Sequence, residues 1–120
     1  MTDSKTTIAD LKQIIKKYAD DREWGQFHTP KSLSMNIAVE AAELMELFLW
    51  IESADAQNEL VEKNRAAVED EVADVAHAII NFCVRNNIDL CTAIEKKMVK
   101  NAVKYPIDKS KGKREKYTKL

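Results

Sequence analysis

Glycine and proline are scarce in this chain, with two of each, and neither occurs between Lys31 and Tyr105. A long stretch without either excludes a turn-rich β-sandwich or barrel and favours helix. No run alternates apolar with polar residues under β-branched enrichment, so no strand is expected. Cysteine is equally sparse. Cys83 and Cys91 both stand in apolar context, and two buried free thiols in a reducing cytoplasm are the expected state. The charge is nearly balanced, with 19 Lys and Arg against 20 Asp and Glu and a net of −1. That argues against a charge-steered nucleic-acid binder. No apolar run approaches the ~20 residues that span a bilayer. The opening MTDSKTTIAD lacks the apolar centre of a signal peptide, so a cytoplasmic protein without membrane partners is expected.

What is present is helical pattern. Residues 7–20 carry Ile8, Leu11, Ile14, Ile15 and Tyr18 at helical spacing and predict helix 1. The loop DREWGQFHTP follows. Thr29 as N-cap and Pro30 in the first turn predict helix 2, running to residue 51. Its stripe is Leu33, Ile37, Ala41, Leu44, Phe48 and Ile51. Ser53 or Asp55 caps helix 3, which extends to residue 86 with a bend near Lys63 and Asn64. Its stripe is Val68, Val72, Val75, Ile79 and Phe82. Asn86 and Asn87 break it. Asp89 caps helix 4, over residues 90–104, ahead of Pro106. The reading is an all-α, four-helix bundle in residues 1–106 with a polar, basic, flexible tail in residues 107–120. Helices 2 and 3 are apolar over more than one face, since Leu47, Leu49 and Trp50 flank the stripe. Oligomerisation through these two helices would cover that surface.

Two acidic pairs interrupt the most apolar segments. Glu40 and Glu43 lie in AVEAAELMELFLW, and Glu71 and Asp74 in DEVADVAHAII. Spacing of i, i+3 puts each pair on one helix face, displaced by ~4.5 Å along the axis. Four carboxylates converging between two helices require a divalent cation or protons. Ligands that are all oxygen suit Mg²⁺ or Mn²⁺ rather than Zn²⁺, and the chemistry implied is metal-assisted phosphoryl transfer to water. Each pair alone could be a solvated helix face. Both together, flanked by small apolar residues, favour the metal site. Glu46, Glu69 and Asp70 are read as surface charges, and His77 as a packed histidine. A di-iron bundle needs a second Glu-x-x-His copy, which is absent.

The segments EWGQFHTPKSLSMNIAVEAAELMELFLW, EDEVADVAHAII and KKMVKNAVKYP together resemble the dCTP pyrophosphatase branch of the MazG-like, all-α nucleoside triphosphate pyrophosphohydrolases. The resemblance spans residues 21–106, in the right order. Many members open the first motif with two adjacent Glu residues. Here Val39 precedes Glu40, a departure that points to the dCTP pyrophosphatase branch. The resemblance implies Mg²⁺-dependent cleavage between the α- and β-phosphates. It assigns the metal to Glu40, Glu43, Glu71 and Asp74, with Glu40 or Glu43 able to orient the attacking water instead. It assigns phosphate or sugar contacts to Lys97, Asn101, Lys104 and Tyr105. Trp24, His28 and Trp50 would enclose the base, with Asn36 on the substrate-facing stripe of helix 2. A homotetramer, built as a dimer of dimers, is implied as well. The competing class is a non-catalytic helical module whose acidic faces meet basic partners.

Overall fold

The structure, a computed structural model, describes residues 1–120 and contains helices and turns with no strand. Six α-helices are present: α1 (Ile8–Asp20), α2 (Pro30–Glu46), α3 (Ala54–Lys63), α4 (Arg65–Arg85), α5 (Leu90–Lys104) and α6 (Ile107–Ser110). Short 3₁₀ turns occupy Trp24–Phe27 and Tyr117–Lys119. The four helices read from the sequence become six because helix 3 divides at Asn64 and the tail adds a single turn.

Local chemistry explains most boundaries. Thr7 caps α1, its hydroxyl accepting from the Asp10 amide while the Asp10 carboxylate accepts from Thr7. Thr29 and Ser32 form the same reciprocal cap on α2, with Pro30 in the first turn. Ser53 caps α3 and Asp89 caps α5. Such caps satisfy backbone amides that the first turn leaves open. Asn64 leaves helical geometry at φ −110°, ψ 35°, closing α3 and opening α4. Asn87 adopts φ 53° just past α4, the left-handed conformation that asparagine tolerates and that stops a helix.

Helix α2 stops at Glu46, five residues short of the expected end. Beyond it the bonds tighten to i→i+3, from Phe48 to Met45 and from Ile51 to Phe48, each 3.0 Å. No Gly or Pro announces this break. The segment must instead turn so that Ser53 can cap α3 in a new direction.

The chain divides into two compact units, Met1–Asn87 and Ile88–Leu120. In the first unit, α4 is the central element. It packs mainly on α2, also on α1, and touches α3. The buried apolar residues are Ile15, Ala19, Leu33, Ala78, Ile80 and Cys83. The expected α4 stripe is therefore rotated. Ile79 and Phe82 are half-buried, Val72 is exposed, and Ala78, Ile80, Asn81 and Cys83 turn inward. Ala78 and Cys83 on that face leave room for the larger Ile80 and Asn81 beside them. Cys83 is buried as expected, whereas Cys91 is exposed at the start of α5. In the second unit no residue is fully buried. There Tyr117 meets Tyr105 edge-on at 5.9 Å, and the Lys104 ammonium stands 4.8 Å over the Tyr117 ring. No helix is long and apolar enough to cross a membrane.

Candidate active site

The packing of α2 on α4 brings the acidic pairs to one place. Carboxylate oxygens of Glu40, Glu43 and Glu71 all lie within 4.8 Å of one another. Glu40 and Glu71 are half-buried and Glu43 is exposed. Asp74, one turn beyond Glu71, is exposed and shares a cleft wall with Glu40.

The electrostatics match the crowding. Burial raises the Glu40 carboxyl above its ordinary value, and the charges of Glu43 and Asp74 push it further. Glu71 is raised in the same way, by burial first, then by Glu43, Asp74, Asp70 and Glu46. Asp70 and Glu46 are surface residues, as the sequence indicated, but their charge is felt in the cluster. One oxygen of Glu71, Oε2, is buried without a hydrogen-bond partner. A carboxylate oxygen withdrawn from water needs a proton or a cation. The donor set is all oxygen and suits a hard divalent ion, so these residues fit the metal site expected from the sequence.

Beside the cluster is a cleft of about 470 Å³, lined by Ile14, Ile15, Tyr18, Trp24, Asn36, Glu40, Asp74, His77 and Ala78. Its floor is aliphatic and one end is acidic. Tyr18 organises the aromatic wall. It meets Trp24 edge-on at 5.8 Å and His77 at 5.9 Å, and the Arg22 guanidinium covers its ring at 3.7 Å. Edge-to-face pairs of this kind fix ring orientation. His77 is half-buried against Tyr18 and forms part of the cleft wall.

The loop bearing Trp24 and His28 is pinned to the far end of α4. The Arg85 guanidinium bonds Asp20 at 3.2 Å, and its Nη1 would lie 3.0 Å from a Cβ placed on Gly25. Glycine lets the loop backbone settle on that guanidinium. His28 Nδ1 lies 3.4 Å from Asn81 Nδ2. Glu23 takes a left-handed φ of 54° to start the 3₁₀ turn.

Trp24 and Asn36 therefore line the cleft with two of the predicted metal ligands, and His28 is tied to α4. Trp50 does not line it. It is 90% exposed in the turn after α2. Lys97, Asn101, Lys104 and Tyr105 all fall on α5 or its C-cap, exposed in the second unit. Lys97 and Asn101 line a shallow apolar groove there with Ala93, Ile94 and Met98. In the sequence Asn81 falls on one helical stripe with Glu71, Asp74 and Ala78, and Tyr18 on the stripe of helix 1, neither with a site role assigned. Arg85 carries no sequence signal.

The model of the MazG-like family matches residues 35–120, more than half of the chain. The chain belongs to the MazG-like family. The match takes in both acidic pairs and all of α5, which agrees with the resemblance read from those motifs. dCTP pyrophosphatase 1 of Rattus norvegicus is 35% identical over 115 residues, covering 95% of this chain and 68% of that protein. Its Homo sapiens counterpart is 31% identical over the same coverage. A crystal structure of a pyrophosphatase from Archaeoglobus fulgidus superposes with a TM-score of 0.80 at 38% identity, covering 82% of this chain and 92% of that one. The MazG-like fold is thus common to this chain and a solved pyrophosphatase.

Proposed function

We propose that this chain hydrolyses nucleoside triphosphates between the α- and β-phosphates, releasing the monophosphate and pyrophosphate. Its relatives establish the class: it is a nucleoside triphosphate pyrophosphatase. The observation that carries the site is the unpartnered Glu71 oxygen within the cluster formed with Glu40 and Glu43. Glu40, Glu43, Glu71 and Asp74 would hold Mg²⁺, with Mn²⁺ as the substitute, and the ion when bound supplies positive charge at the phosphate oxygens.

The protein's own groups do the rest. Glu40 or Glu43 orients the attacking water. Trp24 stacks on the base, a contact contributing ~1–3 kcal/mol, and Tyr18 holds the indole in place. Asn36 offers hydrogen bonds within the cleft, and His28 reads a base edge. Trp50 adds a second indole. Lys97 and Lys104 supply positive charge to phosphates, and Asn101 and Tyr105 supply hydrogen bonds, as the family resemblance assigns. Deoxynucleotides, dCTP among them, are the preferred substrates, in a role of clearing the nucleotide pool. Residues 1–106 serve as the catalytic domain and 107–120 as a tail.

Assembly as a homotetramer, a dimer of dimers, is part of this reading. Val39, Ala42, Met45 and Leu49 line a groove of about 360 Å³ along α2 and the turn after it, with Glu43 and Glu46 at its side, and Val72 on α4 is exposed too. Contiguous apolar surface of this kind marks an interface. The experiment that tests the function is a panel of canonical and modified nucleoside triphosphates with Mg²⁺, scored for pyrophosphate release. Pyrophosphate from at least one deoxynucleotide is the expected result.

A further inference from the structure

Asn81 is the buried polar residue of the first unit, at 6% exposure. It lies on α4 one turn beyond Ala78, which lines the cleft. Its Nδ2 is 3.4 Å from His28 Nδ1, across 53 residues of sequence, and its Oδ1 is buried with no partner. An asparagine that merely fills a core satisfies both ends of its amide. This one engages a loop histidine with one end and leaves the other open. With the amide in this orientation its nitrogen donates and His28 Nδ1 accepts. A neutral imidazole that accepts at Nδ1 carries its proton on Nε2.

We infer that Asn81 is a positioning residue that holds His28 as the Nε2–H tautomer, so that the ring faces a bound base as a hydrogen-bond donor. This rests on the proposed role of His28 at the base edge. A donor fixed there favours a base presenting an acceptor, such as a pyrimidine carbonyl oxygen or an unprotonated ring nitrogen. It disfavours a base that turns an amino group toward His28, so cytosine would meet it through its carbonyl oxygen or unprotonated ring nitrogen. Trp24 stacks on any base face, so the choice between bases passes to His28 and, through it, to Asn81.

Long-range nitrogen-15 NMR of the full chain reads the tautomer directly. The expected signal is Nε2–H for His28. Asn81→Asp places an acceptor against Nδ1, moving the proton to that nitrogen. The kcat/KM ratio between the best and poorest base should then narrow roughly tenfold, the effect of one hydrogen bond. Asn81→Ala, which adds no charge, should narrow it in the same direction. An Nδ1–H signal in the unmodified protein would overturn the inference. So would an unchanged base ratio in both Asn81 variants. In that event His28→Ala separates the causes: a changed ratio removes only the Asn81 role, and an unchanged one removes the base-reading role of His28 as well.

Discussion

Glu40 on α2 and Glu71 on α4 come from segments far apart in sequence, yet their carboxylate oxygens lie within 4.8 Å of each other, with Glu43 completing the group. Both carboxyls are raised by burial and by their acidic neighbours. The metal-free site is therefore a strained element of the fold, and this has consequences that can be measured.

The first concerns pH. An acid whose folded value is raised binds more protons in the folded state, so stability falls as pH rises from the unfolded value through the folded one. The pair Glu40 and Glu71 thus destabilises the metal-free protein above that window. Glu71→Gln should raise the metal-free Tm at neutral pH, and the gain should vanish near pH 4. A calorimetric Tm series from pH 4 to 8 checks this. A gain that grew toward acid pH would contradict it.

Mg²⁺ should reverse the strain. Adding the ion should raise Tm in the unmodified protein and do little in Glu43→Ala or Asp74→Ala. Each variant should keep its helical circular dichroism and lose roughly 100-fold or more in turnover, the scale of several kcal/mol of charge stabilisation. Full activity in both variants would remove the metal assignment.

Arg85 supports the loop from below, through Asp20 and Gly25. Arg85→Ala leaves a void under Gly25 and frees the Trp24 turn. Tm should fall by roughly 5 °C, and KM should rise several-fold with kcat little changed. A drop in kcat at constant KM would place Arg85 in the chemistry instead.

The groove along α2 predicts self-association. Light scattering should give a multiple of the 13.7 kDa chain mass at micromolar concentration. Met45→Asp, in the lining of that groove, should reduce it. A monomer in the unmodified protein would remove the assembly.

Helix caps were legible because they are local. Thr29, Pro30 and Asp89 announce α2 and α5 by residue type alone. The acidic pairs were legible because carboxylates in apolar helices are costly unless used. The early end of α2 was not legible, since nothing in residues 47–51 breaks a helix and the turn is imposed by the next cap. The inner face of α4 was missed for a similar reason. The packing of α4 on α1 and α2 turned Ala78, Ile80, Asn81 and Cys83 inward and left Ile79 and Phe82 half-buried, a tertiary choice that helical periodicity cannot express. Asn81 shares a helical stripe with Glu71 and Asp74, but its contact with His28 and the place of Arg85 under Gly25 depend on how the loop rests on α4.

The central claim is that the cluster of Glu40, Glu43 and Glu71, with Asp74 beside it, supports cleavage between the α- and β-phosphates. Phosphorus NMR of dCTP incubated with the protein and Mg²⁺ tests it most directly. The account predicts resonances of dCMP and pyrophosphate growing together, and no turnover by Glu71→Gln. Accumulation of the nucleoside diphosphate with free phosphate, or full turnover by Glu71→Gln, would contradict it.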